Sequence, residues 1–211
     1  MLKNELKKYI EKQLTNQKPL DATDAFQIEL YEMEKEFLEQ HPTILQELEK
    51  KVEIVGKDPM MRFQEVYIEK CNKETDELIA EESFTFLDQH IDYFLHHIEE
   101  FMYLESPWFE IIGVDAISFE VDSVFKTYDM MLGLKLQKKH EKSIKIFLST
   151  NLGGDHATFD LMFNSNEGIW ELNFSINHLQ EFNENWTIGD AYLAAYQIIF
   201  RLREYVEEGV E

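Results

Sequence analysis

In the C-terminal half of the chain, apolar residues recur at every second position. Tyr128, Met130, Leu132, Leu134 and Leu136 alternate with positions that include Lys135 and Gln137, the spacing of a half-buried strand. Ile144, Ile146 and Leu148 repeat the pattern with Lys145 outward. Ala157, Phe159, Leu161 and Phe163 alternate against Thr158, Asp160 and Met162, and Trp170, Leu172, Phe174 and Ile176 against Glu171 and Asn173. Lys138 to Lys142 reads as a hairpin connection, and Asn151 to Asp155 and Asn164 to Gly168 read as turns, where glycine tolerates positive φ. These links are too short for parallel crossovers. The pattern therefore predicts an antiparallel β-meander of four strands, with Ile117, Phe119 and Val121 supplying a fifth ahead of it. One apolar face per strand implies helices on one side of the sheet and water on the other.

The period then changes. Ile188, Ala191, Ala195, Ile198, Ile199, Leu202 and Val206 lie on one helical face. Thr187 stands where an N-cap belongs, Asp190 lies three residues on, and Gly209 is a natural stop. The front of the chain reads as helices too. Leu2, Leu6, Tyr9, Ile10 and Leu14 form a first stripe, and Phe26, Leu30, Met33, Phe37 and Leu38 a second. Ile44, Leu45, Leu48 and Val52 suggest a third, and Met60, Phe63, Tyr67, Cys71 and Leu78 a fourth after Asp58-Pro59. A fifth carries Leu87, Ile91, Phe94, Leu95, Ile98, Phe101 and Met102. The expected fold is α+β: an N-terminal group of four to five helices, then an antiparallel β-meander of four to five strands closed by a long C-terminal helix. Residues 1–211 are expected to form a single domain, with a helical part over 1–105 and the meander plus C-terminal helix over 115–211.

Composition supports a real core. The 211 residues are 44% hydrophobic and 13% aromatic, too rich in large apolar groups for a disordered chain. No apolar run reaches the ~20 residues of a membrane span, and no apolar signal segment follows the Met-Leu-Lys-Asn-Glu start. One cysteine, Cys71, excludes an intrachain disulfide framework. The expectation is a cytoplasmic protein of bacterial type. A net charge of −22 disfavours nucleic-acid and anionic membrane partners and favours basic ones.

The charge is unevenly placed. From Glu74 to Asp122 there are fourteen Asp and Glu residues and not one Lys or Arg. One account is a solvated helix surface that keeps the protein soluble and monomeric. The functional account is an acidic surface, with Asp88, Asp92, Glu99, Glu100 and Glu105, that binds a basic protein partner. A toxin-neutralising or chaperone-like role suits it.

No catalytic signature, nucleotide loop or zinc pattern occurs, and no cofactor is expected. On a helix from Ser83 to Met102, Asp92, His96 and Glu99 would share one flank within mutual reach, a donor set suited to a divalent metal. The Glu-x-x-His motif of di-metal bundles is missing, because Tyr93 and Phe94 stand where its Glu would precede His96 or His97. The alternative function is thus a metal-dependent or small-molecule enzyme with a site between helices and sheet, where Asp155 or His156 would join that flank. A third reading is a two-fold dimer through the sheet edge or the front helices.

Overall fold

The computed structural model describes residues 1–16, 25–48, 50–153 and 159–209. They divide into two units, Met1–Gln64 and Glu65–Glu211. In the first, α1 (Leu2–Asn16) buries Leu2, Leu6, Ile10 and Leu14, the stripe its spacing predicts. The expected second helix begins as a strand. Phe26, Ile28 and Leu30 alternate in β1 (Phe26–Leu30), and α2 (Glu32–Gln40) starts only afterwards, with Glu32 and Glu34 in the first turn where the helix dipole favours them. Phe26 and Leu30 satisfy both a helical and a two-residue period, and so short a run does not distinguish them. A single turn, α3 (Thr43–Gln46), leads to β2 (Val52–Gly56), which pairs parallel to β1 with Ile28 opposite Ile54.

A buried ion pair ties this first unit together. Glu34 is fully buried and Arg62 is 5% exposed. Their fork-to-fork bonds are 2.8 Å from Nη1 to Oε1 and 3.0 Å from Nη2 to Oε2. The Arg62 guanidinium also lies 4.1 Å from the centre of the Tyr31 ring. Such a pair offsets its desolvation only while both partners are present.

The second unit holds a seven-stranded antiparallel sheet in the order β4-β3-β5-β6-β7-β9-β8. Its elements are β3 (Tyr67–Asn72), β4 (Leu78–Glu82), α4 (Tyr93–His96), β5 (Glu100–Glu105), α5 (Phe109–Ile112), β6 (Val114–Val121), β7 (Tyr128–Leu134), α6 (Glu141–Asn151), β8 (Phe159–Asn164), β9 (Ile169–Ser175) and α7 (Ile188–Glu208). The expected helical part over 1–105 is therefore overturned. Five strands lie within it, β1 to β5, and among the described residues only α1 and α2 there are α-helices longer than one turn. From Glu100 to Glu105 the inward residues are Met102 and Leu104, a strand alternation that the helical reading of Phe101 and Met102 overlooked.

The meander is also corrected. Ile144 to Leu148 belongs to α6, not to a strand. Ile144, Phe147 and Leu148 are buried at i, i+3 and i+4 while Ile146 faces out, and Glu141 pairs with Lys145 one turn on. With α6 as a connection, β7 pairs with β9, and β8 takes the edge beyond it.

The sheet buries one face. Across the strands, Met102, Phe119, Met130, Phe174 and Phe159 stand side by side, as do Ile68, Leu104, Ile117, Leu132, Leu172 and Leu161. α7 covers this face with Ala191, Ala194 and Ala195 among its buried residues. The buried Tyr192 hydroxyl reaches the carbonyls of Met102 and Ile117, at 3.3 Å each. α7 starts where expected. The Asp190 N–H donates to Thr187 Oγ1 (3.1 Å) and the Thr187 N–H to Asp190 Oδ2 (2.9 Å), a reciprocal cap. It ends at Gly209, whose φ of 65° closes the helix.

At the turn from α5 into β6, Gly113 has φ +65°, and a Cβ there would lie 1.7 Å from Nη1 of the buried Arg203. Gly113→Ala therefore meets both a disfavoured backbone and a collision, and should destabilise the second unit by about 2–4 kcal/mol in urea unfolding. Arg62→Met should cost the first unit about 3 kcal/mol by leaving the Glu34 charge buried and uncompensated. The Glu34→Gln/Arg62→Met double variant should recover part of that loss.

Candidate protein-binding face

Alternation that sends apolar residues under α7 sends their neighbours to the other face, and no described element of the second unit crosses it. One row there runs Glu81, Glu69, Tyr103, Ser118, Met131, Asn173, Asp160 from edge to edge. A second runs Cys71, Phe101, Glu120, Asp129, Ser175. Glu105 and Ala116 are paired on the same face, as are Gly133, Glu171 and Met162. Small side chains at Ala116, Ser118 and Gly133 leave a hollow of about 710 Å³, rimmed by Asp115, Asp160, Glu167 and Glu171 and floored in part by Met131 and Ile169. A second hollow, of about 680 Å³, adjoins it through the shared Asp160 and Asn173. Asp122, Phe125, Asp129, Phe159, Ser175 and His178 are among its walls.

Carboxylates dominate this surface, and two of its cations, Lys73 and Lys135, are engaged. Lys73 lies 3.5 Å from Glu120 and donates to the Val121 carbonyl at 2.5 Å, and Lys135 pairs with Asp115. Glu69 and Glu105 accept only neutral hydroxyl donors, from Tyr67 and Tyr103, and Glu171 accepts from the Asn164 amide. Burial and the hydrogen bond to Glu105, with the charges of Glu105, Glu69 and Asp115, push the Tyr103 phenol up to about 12.

Glu120 and Asp129 stand directly opposite each other on β6 and β7, where like charges are unfavourable. Burial raises the Glu120 carboxyl above its ordinary value. Lys73 opposes that shift, and Asp129 and Asp122 add to it. Burial likewise raises Asp129, opposed by the Thr127 and Ser175 hydroxyls and reinforced by Asp122. Asp129 Oδ1 is buried without a hydrogen-bond partner.

The residues singled out in the sequence are dispersed. Of Asp88, Asp92, Glu99, Glu100 and Glu105, only Glu105 lies on the open face. Asp88, Asp92 and Glu99 sit on the connection between β4 and β5. That connection runs along the covered side, where Phe94 meets Phe119 edge to face at 5.1 Å. Glu100 is buried against Lys70 (3.6 Å) and accepts from the Tyr93 hydroxyl at 2.8 Å. The helix that would align Asp92, His96 and Glu99 is absent. Asp92 precedes the single turn of α4, His96 ends it, and Glu99 lies in the turn before β5. Asp92 is instead 2.7 Å from His90 Nδ1. Among the described residues no group of three or more His, Cys, Asp or Glu side chains is placed to hold a metal ion. Asp155 and His156 lie outside the described residues.

Sequence reasoning missed Asp129, Asp160 and Glu171 as members of this face. The signal was present in the alternation, which sets Asp160 and Glu171 opposite apolar neighbours. The acidic stretch ends at Asp122, and these three lie beyond it.

No known protein family matches the sequence, and no curated protein or solved structure matches it either. No described helix is long and apolar enough to cross a membrane.

Because the folded chain holds the Glu120 and Asp129 protons more tightly than the unfolded one, stability rises on acidification through their raised values. It falls again as pH increases. Asp129→Asn removes the opposed charge. It should raise Tm by roughly 1–3 °C at pH 7, and the gain should vanish below the ordinary carboxylate range, where both states are protonated. Equal gains at both pH values would assign the effect to packing instead.

Proposed function

We propose that the protein is a non-enzymatic cytoplasmic binding module whose acidic open sheet face engages a basic protein partner, in a toxin-neutralising or chaperone-like role. The observation that carries this reading is the uncovered face bearing Glu69, Glu105, Asp129, Asp160 and Glu171, with Lys73 and Lys135 already paired to other carboxylates. A surface of uncompensated charge on a rigid sheet steers an oppositely charged protein and fixes its orientation. It also disfavours nucleic acid and anionic membranes as partners. The acidic stretch from Glu74 to Asp122 contributes Glu81, Glu105, Asp115 and Glu120 to this face. The remainder comes from β3, β7, β8 and β9.

The test compares two sets of neutralising substitutions against one probe, an acetylated octa-arginine peptide in 50 mM NaCl. Glu69→Gln/Glu105→Gln/Glu171→Gln on the face should weaken binding at least roughly fivefold. Asp88→Asn/Asp92→Asn/Glu99→Gln, which removes equal charge from the β4–β5 connection, should stay within about twofold. Affinity should fall steeply by 0.5 M NaCl. Equal losses from both triple variants would mean that net charge, not this face, attracts the probe.

A further inference from the structure

The turn between β6 and β7 carries the two most exposed large hydrophobic residues among those described, Val124 at 75% and Phe125 at 79%. This turn is tightly fixed. Asp122 Oδ1 accepts from the N–H of Val124 at 2.8 Å and of Phe125 at 2.6 Å. The Asp122 N–H donates to the Thr127 carbonyl and the Lys126 N–H to the Asp122 carbonyl, and Lys126 takes a φ of 58°. The backbone amides of Phe125 and Val124 hold the Asp122 carboxyl below its ordinary range, so it stays ionised. Phe125 is thus presented on a preset backbone, which lowers the ordering cost of a contact made there.

Phe125 forms one wall of the 680 Å³ hollow. Asp122, Asp129 and Asp160 supply three carboxyl groups, and no Lys or Arg is among the described lining residues. One ligand chemistry answers both features. An ammonium or guanidinium group is attracted to ring faces and makes charge-assisted bonds to carboxylates. An anion would be repelled, and a neutral apolar group would leave the carboxylates unmatched.

We propose that this hollow, walled by Phe125 beside Asp122, Asp129 and Asp160, is the anchor that receives a Lys or Arg side chain of the basic partner. The inference rests on the acidic-face reading above and locates its energetic centre. A side chain of a protein is the occupant, and not a free amine, because the hollow opens through Asp160 and Asn173 onto the wider groove across β6 to β9, where the rest of a polypeptide would lie.

Calorimetric titration of the full chain with three probes tests it: acetylated octa-arginine, its neutral isostere octa-citrulline, and spermine. Phe125→Ala, at an exposed turn position, should keep the wild-type Tm and weaken octa-arginine roughly fivefold. Phe125→Tyr should restore binding to within about twofold, because it restores the ring. Octa-citrulline should not bind. If Phe125→Ala binds like wild type while the Glu69/Glu105/Glu171 variant is weakened, the anchor assignment is overturned and the acidic-face reading stands. If neither variant weakens binding, the acidic-face reading falls as well. Spermine binding more tightly than octa-arginine, with the same dependence on Phe125, would replace the side chain with a free polyamine.

Discussion

The second unit depends on the burial of one sheet face beneath α7. Seven strands of antiparallel sheet place Phe119, Met130, Phe174 and their neighbours against a helix that buries three alanines and the Tyr192 hydroxyl on the sheet side. Since strand side chains alternate, every residue committed to that core commits its neighbour to the opposite face. The chemistry of the outer surface is therefore tied to the interior. A one-residue slip would exchange Phe119 and Met130 for Glu120 and Asp129, so the core fixes the register that sets those two carboxyls against each other.

A buried cation secures one end of the same core. Lys70 lies in the phase of the covered face, opposite Met102. Its Nζ donates to the Tyr93 hydroxyl at 2.9 Å, approaches Glu82 at 3.3 Å and Glu100 at 3.6 Å, and stands over the rings of Phe86 and Tyr93. Burial alone would lower the Lys70 pKa, but Tyr93 and Glu100 outweigh that and leave it raised. The cluster joins β3, β4 and β5 to the β4–β5 connection. Two acidic residues of the Glu74–Asp122 stretch, Glu82 and Glu100, are thereby structural partners and not free surface charge.

What the sequence made legible followed from strong, unambiguous periods. α1 and α7 were readable because their apolar sets span several turns, and α7 adds a Thr187–Asp190 cap and a Gly209 stop. β6, β7, β8 and β9 were readable because their alternation leaves no helical stripe. Reading failed where a segment satisfied two periods. Phe26 and Leu30 are four apart yet alternate with Ile28, and Ile144, Ile146 and Leu148 alternate yet contain the helical set Ile144, Phe147 and Leu148. It also failed at β3 and β5, where Lys70 occupies a core position and Phe101 an outward one. The acidic stretch was visible, but its division between two faces was not, because that depends on which strand neighbours which. Pairing β7 with β9 across the α6 crossover brings Asp129 beside Ser175 and sets Asp160 two strands away, a proximity no local window contains.

The outermost strand, β4, shows a further use of acidity. Leu78 and Ile79 are 52% and 48% exposed on an edge of the sheet, the kind of open rim along which chains add to one another end over end. Glu77 and Glu81 border them and act as gatekeepers through mutual repulsion. Without those two charges the margin would become an adhesive border on which copies of the chain stack rim to rim.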